Sequence, residues 1–271
     1  MITIDKTAEL NTSTDTPGIK KGADGTKSKV TDSLIHEHLL EIFVDNAPAF
    51  NVSCTPDKLI ELITGRLYTS HIINGLTDIA KIFICKKGNV AEVTLTESVQ
   101  LMPAQSLSGA GREITCCSGN WQLLGRAPDI ELSRINPAAS TEPSDLASAV
   151  FELAEHFAKD SKLHRSTGGT HSCYIRMPDG QIHGFEDISR HNALDKAVGH
   201  MLIKGADASE CMLYTTGRVP LDMVEKVISS GVPVLISKSV PTDAAVSFAK
   251  KHGLTLICRA WPDSYTLYGS S

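Results

Sequence analysis

The chain has 271 residues, of which 41% are hydrophobic and 21% charged, values that are typical of globular proteins. A chain of this length folds as one large domain or two small ones, which excludes disorder throughout. Aromatic residues make up only 5%, which argues against binders that stack single-stranded bases and against ring-lined carbohydrate clefts. The formal charge of −5 provides no overall positive field to attract a nucleic acid.

Seven cysteines are spread along the chain, and this odd number in a chain too long to need disulfides indicates free thiols in a reducing cytosol. The first residues lack the basic-then-apolar order of a secretory signal. No apolar run approaches the roughly 20 residues needed to cross a bilayer. We therefore expect a cytoplasmic protein without membrane or nucleic-acid partners.

Residues 1–30 contain mainly Thr, Ser, Gly, Asp and Lys, which predicts a disordered tail. Residues 31–140 are predicted to form a smaller α+β region. In this region, Thr55 is expected to cap a helix that has proline at its first position. Two strands, 82–85 and 90–95, are expected to form a hairpin.

The stretch 103–145 is rich in proline and glycine, which predicts exposed loops. Residues 141–271 predict an α/β domain. It begins with an amphipathic helix ending near Gly168 and Gly169, and a hairpin over 171–188 follows. Helices are then expected to begin at Arg190, Pro220 and Pro241, and strands to span 211–215, 232–237 and 254–258. This alternation predicts parallel strands with helices packed on the sheet.

Two predicted strand-to-helix loops have the composition of an anion site. They are Thr215–Arg218 and Ser237–Val240, each with hydroxyls and one cation. Loops at the carboxyl ends of parallel strands face the ligand, and helix N-termini favour anions. The alternative is that these hydroxyls only cap helices.

The densest polar run of the chain is Glu186–Lys196, at a predicted strand-to-helix junction. Its varied hydrogen-bonding groups indicate either a binding site or a well-capped, solvated helix end. If it is a site, Arg190 and Lys196 should gather with Arg218 and Lys238 at one edge of the sheet.

Several common motifs are absent. The chain has no Walker A sequence, no Gly-x-Gly-x-x-Gly after a strand and no Cys-x-x-Cys, so neither a dinucleotide site nor a zinc ribbon or zinc deaminase site is indicated. His171 and Cys173 share a strand face, where a core thiol is favoured over a metal ligand. Core positions are also expected for the cysteines in or beside apolar runs, namely Cys54, Cys85, Cys211 and Cys258.

Cys116 and Cys117 are adjacent in the predicted loop region, beside Ser118, Gly119 and Asn120. An exposed thiol can act as a nucleophile or carry sulfur as a persulfide. Two alternatives stay open. In the first, the pair is incidental. In the second, Cys116 is the nucleophile of a hydrolase with a histidine from the 183–191 region, although no local signature supports a hydrolase.

Taken together, the motifs resemble the FdhD family of formate dehydrogenase accessory proteins over about residues 40–268. The most specific segments are Thr167–His171, Glu186–Lys196, Thr216–Val219 and Ser237–Thr242. The resemblance implies a cytidine-deaminase-like α/β/α C-terminal domain joined to a smaller α+β domain, and no metal site.

The resemblance also implies a function. A cysteine desulfurase would pass sulfur to Cys116 or Cys117 as a persulfide, and the sulfur would go to a bound bis-molybdopterin guanine dinucleotide destined for the formate dehydrogenase catalytic subunit. Family members form homodimers. The implied cofactor-binding residues are Gly168, Gly169, His171, Arg190, His191, Asn192, Lys196, Thr216, Gly217, Arg218, Ser237, Lys238, Ser239, Arg259, Ala260, Trp261, Pro262, Asp263 and Ser264.

The chain departs from the family pattern at two places. The family loop usually reads Cys-Gly-x-Cys-Gly, whereas Thr115–Asn120 here has no second cysteine after the adjacent pair. Trp261 and Ser264 stand where arginine is common. The first departure suggests an alternative function, a molybdenum-cofactor-binding chaperone without sulfur transfer.

Overall fold

The computed structural model describes residues 3–5, 10–97, 102–103, 121–122, 124–125 and 143–268. Cys116, Cys117 and most of the predicted loop region lie outside the described residues. The elements of the first half are β1 (Thr3–Asp5), β2 (Ser13–Lys21), β3 (Lys27–Ile35), β4 (His38–Val44), β5 (Ala47–Cys54), α1 (Leu59–Thr69), β6 (Ile79–Ile84), β7 (Val90–Leu95), β8 (Met102–Pro103), β9 (Trp121–Gln122) and β10 (Leu124–Gly125).

The second half begins with two helices and a hairpin. Its elements are α2 (Pro143–Asp160), α3 (Lys162–Thr167), β11 (His171–Arg176), β12 (Ile182–Asp187), α4 (Arg190–Ile203), β13 (Met212–Thr215), α5 (Leu221–Ser230), β14 (Val234–Ser237), α6 (Asp243–His252), β15 (Thr255–Trp261) and β16 (Ser264–Tyr268). In the described part of the chain no helix is both long and apolar enough to cross a membrane.

The first half forms an N-terminal unit around a six-stranded sheet of order β1–β6–β7–β4–β5–β9. The predicted hairpin is confirmed as β6–β7. Helix α1 packs Leu62, Ile63 and Leu67 on this sheet because these side chains recur at helical spacing.

Helix α1 begins at Leu59, later than the predicted cap at Thr55. Thr55 is engaged elsewhere: its amide donates to Asp187 Oδ2 (3.0 Å), and its hydroxyl accepts from the Ile188 amide (3.2 Å). A partner more than a hundred residues away therefore overrides the local capping signal.

The tail predicted for residues 1–30 is wrong over much of its length. Strands β2 and β3 pair antiparallel in continuous register from Ser13↔Ile35 to Lys21↔Lys27. We call this pair the hairpin arm. The arm is exposed along most of its length, which explains why its sequence lacks the apolar residues of a buried strand.

The second half forms a C-terminal unit around a six-stranded sheet of order β12–β11–β13–β14–β15–β16. The predicted parallel strands are confirmed, since β13, β14 and β15 run parallel. Alternate strand residues face opposite cores: Leu213 packs against α4, α5 and α6, whereas Met212 and Tyr214 pack against α2. Helices therefore cover both faces of this sheet.

Local signals set most helix ends in this unit. The Thr242 hydroxyl caps α6 by accepting from the Ala245 amide (3.2 Å), and Gly231 ends α5 in the left-handed region at φ 79°. The predicted first helix is interrupted at Ser161, whose hydroxyl donates to the Phe157 carbonyl (2.7 Å). Its remainder, α3, ends before Gly168 as expected.

The two units meet where α1 crosses α4. A Cβ at Gly65 would lie 1.8 Å from the Asp195 carbonyl oxygen, and one at Gly199 would lie 1.9 Å from the Glu61 carbonyl oxygen. Only glycine allows backbones to approach this closely. We call this crossing, with the polar contacts around it, the joint.

Candidate functional site

A pocket of about 460 Å³ opens at the carboxyl ends of β13, β14 and β15. This volume is within the usual range for small-molecule sites, and the position is where ligands bind in parallel sheets. The pocket is lined by Phe157, His164, Gly168, Gly169, Thr170, His171, Ile188, Thr216, Lys238, Ser239 and Trp261.

Hydrogen bonds between the loop after β13 and the strands β11 and β14 fix the polar floor of the pocket. The Thr216 hydroxyl accepts from the Ser172 amide (3.0 Å), and the Ser237 hydroxyl donates to the Gly217 carbonyl (2.8 Å). Ser237 is buried, so it supports the loop and does not line the pocket. The next two residues, Lys238 and Ser239, are the ones that face the pocket.

Lys238 provides a positive charge at the pocket wall. Its Nζ lies 4.7 Å from the ring centre of Phe157 and 4.8 Å from that of Trp261. Aromatic faces attract an ammonium group without neutralising it. Trp261 is 47% exposed, so about half of its surface is available to solvent or a ligand.

Two histidines line the wall formed by α3 and the start of β11. The His164 Nδ1 lies 2.7 Å from the Thr170 carbonyl oxygen, so Nδ1 carries the proton and donates it there. Burial lowers the pKa of His171, and the charges of Arg190 and Arg218 lower it further. His171 is therefore neutral at pH 7 and can both donate and accept a hydrogen bond.

A single carboxylate holds α3 in place. Glu186, on β12, accepts hydrogen bonds from the amides of Leu163 (2.9 Å) and His164 (2.7 Å). Amides in the first turn of a helix have no acceptor within the helix, so they are available to bind a carboxylate. The position of His164 at the pocket therefore depends on Glu186.

Arg190 and Arg218 lie close enough to the pocket to influence His171. The Arg190 side chain lies across Gly217, where an added Cβ would be 2.9 Å from its Cβ and Cδ. Gly217 thus provides room for Arg190, while Arg218 is exposed. Within the described chain, no carboxylate forms a salt bridge with Arg190, Arg218 or Lys238.

The rest of the polar run belongs to the joint, contrary to the expected cluster of cations. Lys196 is fully buried; its Nζ lies 2.8 Å from Asp187 Oδ2 and donates to the Thr55 carbonyl (3.2 Å). Asn192 is also fully buried and donates to the Ser53 carbonyl (2.8 Å). Neither residue reaches the pocket.

His191 also does not line the pocket. It is 1% exposed, and its Nε2 lies 2.9 Å from Asp222 Oδ2 at the start of α5. The predicted cofactor-binding residues Arg259–Ser264 span the end of β15, a turn and the start of β16, and of these Trp261 alone lines the pocket. Ala260 is buried in the core beside α2, and the other members are exposed: Arg259, Pro262, Asp263 and Ser264.

Sequence reasoning missed a buried ionic cluster in the joint. Asp195 accepts from Arg66 Nη1 (3.3 Å) and the Thr69 hydroxyl (2.8 Å), and Lys226 Nζ contacts both of its carboxylate oxygens. Arg66 also lies over the ring of Phe50 at 5.4 Å. These partners come from α1, α4 and α5, so sequence spacing carried no signal for them.

Sequence reasoning also missed four residues of the pocket: Phe157, His164, Thr170 and Ile188. Phe157 lies on α2, and an apolar residue on an amphipathic helix can equally belong to the core or to a pocket wall. Thr170 and Ile188 adjoin predicted strand ends, which was the available signal.

Four described cysteines are core residues, as predicted for three of them and favoured for Cys173. Burial raises the pKa of Cys54, Cys211 and Cys258 to about 12, and it raises that of Cys173 as well. Cys85 is half-exposed at the β6–β7 turn, which corrects its predicted core position. The limited burial of Cys85 raises the pKa of its thiol. Hydrogen bonds from backbone N–H groups, led by that of Val90, outweigh burial, so the pKa is lowered overall.

No three described His, Cys, Asp or Glu side chains are grouped so that they could hold a metal ion. Residues 35–271 match the family model described as the FdhD/NarQ family. The chain belongs to this family.

Named relatives and a solved structure agree with this assignment. The chain is 32% identical over 244 residues to "Sulfur carrier protein FdhD" of Anaeromyxobacter dehalogenans strain 2CP-1, covering 84% of this chain and 83% of the relative. It is 26% identical over 239 residues to the protein of the same name from Listeria monocytogenes serotype 4b, covering 88% and 90%.

The fold is similar to a crystal structure from Desulfotalea psychrophila, assigned as a formate dehydrogenase accessory protein. The TM-score is 0.74 at 20% identity, with 96% of this chain and 98% of that chain covered. This member of the FdhD/NarQ family therefore shares the mixed α/β fold of that protein.

Proposed function

We propose that this protein is a sulfur carrier that supports formate dehydrogenase. It takes sulfur from a cysteine desulfurase as a persulfide on Cys116 or Cys117. It then passes the sulfur to bis-molybdopterin guanine dinucleotide, its substrate, held at the pocket. The names of its relatives support the carrier role. We also assign its C-terminal unit to the cytidine-deaminase-like fold, which the helices on both sheet faces support.

The observation that carries the proposal is the uncommitted positive charge at a pocket formed by strand ends. Lys238 is held by aromatic rings, and no described carboxylate neutralises it. A phosphate or pyrophosphate group of the substrate would therefore meet Lys238, with hydroxyl donors from Thr216 and Ser239 beside it. The pocket has room for one nucleotide arm of so large a ligand.

The other pocket residues would orient that arm. Gly168 and Gly169 have no side chain, so a ligand can approach their backbone closely. Neutral His171 would hydrogen-bond without adding charge. The exposed face of Trp261 would stack on a planar base.

Sulfur loading is a thiol exchange that balances without another reactant. The thiolate of Cys116 or Cys117 attacks the terminal sulfur of the desulfurase persulfide. A new sulfur–sulfur bond forms on this protein, the sulfur–sulfur bond of the desulfurase breaks, and its cysteine leaves as a thiolate. The buried thiols Cys54, Cys173 and Cys258 are unsuited to this attack because burial keeps them protonated.

The test is mass spectrometry after incubation with a cysteine desulfurase and cysteine. We expect a mass increase of one sulfur atom on the peptide that contains residues 116 and 117. Cys85 is the internal control, since it is half-exposed but outside the predicted loop region. Sulfur on Cys85 alone, or on no cysteine while formate dehydrogenase still matures, would contradict the proposal.

The missing second cysteine of the family loop favours one alternative, a cofactor chaperone without sulfur transfer. A double variant, Cys116→Ser with Cys117→Ser, separates the two functions. If the protein is a sulfur carrier, this variant should bind GDP normally but should fail to mature formate dehydrogenase. Normal maturation by the variant would instead establish the chaperone.

A further inference from the structure

The hairpin arm carries a concentrated positive charge on one face. Because residues paired across strands share a face, Lys21 and Lys27 lie opposite each other, and Lys29 lies opposite Ile19. All four side chains are exposed, and Ile19 is 67% exposed. We call these four residues the basic face of the arm.

The basic face has an energetic cost in the isolated protein. Like charges directly opposite each other destabilise a strand pair, and the register places Lys21 against Lys27. The one acidic residue of the tip, Asp24, accepts hydrogen bonds from the amide (3.0 Å) and hydroxyl (2.7 Å) of Thr26. Because Asp24 is engaged with Thr26, the repulsion between Lys21 and Lys27 remains. An anionic partner would relieve that repulsion.

Lysines on exposed strands also protect unpaired edges from aggregation, and the arm pairs with no further strand among the described residues. Lysine is the most common charged residue at protected edges, but a negative charge also disfavours pairing with another chain. A glutamate opposite Lys27 would protect the edge and would also form a favourable pair. The uniform sign of Lys21, Lys27 and Lys29 therefore favours recognition of an anionic surface.

The arm is attached at the rim of the pocket. A Cβ built at Gly169 would lie 2.9 Å from Cγ2 of Ile35, the last residue of β3, so the two residues are in contact. Ile35 is on the same face of the arm as Lys29, six residues away. At about 3.3 Å per residue, the basic face starts roughly 20 Å from the pocket rim.

We propose that the basic face docks an acidic surface of the enzyme that receives the ligand of the pocket. This inference rests on the proposed function. A ligand that leaves the pocket must pass its rim, so the receiving enzyme has to approach the place where the arm is rooted. The net charge of −5 disfavours a nucleic acid as the occupant.

The test measures binding to the apo catalytic subunit of a formate dehydrogenase from the same organism. The variant carries Lys21→Glu, Lys27→Glu and Lys29→Glu, which preserves edge protection but reverses the charge. The matched control carries Lys204→Glu, Lys250→Glu and Lys251→Glu, three exposed lysines elsewhere with the same change in net charge. Circular dichroism confirms that both variants are folded.

We expect the arm variant to bind the subunit at least tenfold more weakly, mainly through slower association, and the control to bind like wild type. The wild-type affinity should fall with added salt. Equal binding by the arm variant, an equal loss in the control, or no binding by wild type would overturn the proposal. So would an arm variant that binds the subunit normally but changes only self-association or RNA binding.

Failure of this inference can be distinguished from failure of the proposed function. GDP binding and persulfide formation are measured on the same wild-type and variant proteins. If GDP binding and persulfide formation are intact but the arm variant binds the subunit like wild type, only the docking inference is wrong. If GDP binding and persulfide formation are absent in wild type, the proposed function itself is wrong.

Discussion

Gly65 of α1 and Gly199 of α4 bring the backbones of the two units into direct contact. We expect Gly199→Ala to lower the free energy of unfolding by roughly 1–3 kcal/mol or more, because its methyl group would collide with the Glu61 carbonyl. Urea unfolding measures this change. Gly75→Ala is the control, since a Cβ there meets nothing within 4 Å. Equal stability of the two variants would contradict the close crossing.

Asp195 should make the joint sensitive to acid. Burial alone raises its pKa, but Lys226 and Arg66 outweigh burial and hold the pKa below its usual value. The stabilisation is thus present above the unfolded value of 3.8 and is lost as pH falls through the folded pKa. We expect Asp195→Asn to cost about 3–5 kcal/mol at neutral pH because two cations lose their partner.

Urea unfolding at neutral pH and below the unfolded pKa of Asp195 measures this effect. The difference between wild type and Asp195→Asn should shrink in acid. Exposed Asp57→Asn serves as the control and should change little at either pH. A constant difference between wild type and Asp195→Asn would show that the charge of Asp195 does not stabilise the joint.

Lys238 should contribute to ligand affinity without contributing much to stability. We expect Lys238→Ala to weaken GDP binding at least tenfold, about 1.4 kcal/mol, because a charge-assisted contact is lost. Isothermal titration calorimetry measures the affinity, and Lys250→Ala on the exposed side of α6 is the control. Unchanged GDP affinity in Lys238→Ala would place the anion elsewhere.

His171 should make the affinity for GDP depend on pH. Its lowered pKa keeps it neutral at pH 7, so protonation below its usual range adds a positive charge to the pocket. Relative to His171→Gln, wild type should gain GDP affinity as the pH falls below 6.5, the usual pKa of a histidine. The comparison cancels the titration of the phosphate itself. Parallel profiles for the two proteins would exclude His171 from the binding site.

The cysteines should differ in reactivity. Iodoacetamide at neutral pH should label Cys85 in the folded protein, because it is half-exposed and its pKa is lowered. Cys54, Cys173, Cys211 and Cys258 should react only after unfolding, since burial protects their protonated thiols. Peptide mass spectrometry in the presence and absence of urea measures this. Labelling of Cys173 in the absence of urea would contradict its fully buried position.

The alternating helices and strands after Arg190 could be predicted because their ends are marked locally. Gly231 and Thr242, for example, act on residues within one turn. The buried, structural role of Lys196 could not be predicted in the same way. Its partner Thr55 lies 141 positions away, and only the folded chain brings the two together.

The pocket was predictable where its residues follow parallel strands, as Thr216 and Lys238 do. It was not predictable where a helix supplies the wall, as with Phe157 and His164. The hairpin arm was missed because backbone pairing holds its strands together, and backbone pairing gives no hydrophobic pattern of a buried strand.

Glu186 connects two parts of the molecule through different atoms. Its carboxylate holds the first turn of α3 at the pocket, and its main-chain carbonyl accepts from Lys196 Nζ (3.0 Å) in the joint. A ligand that fixes α3 would therefore also tighten the association of the two units, raising the melting temperature of both together. Conversely, damage to the joint would reach the pocket through Glu186 as a loss of ligand affinity.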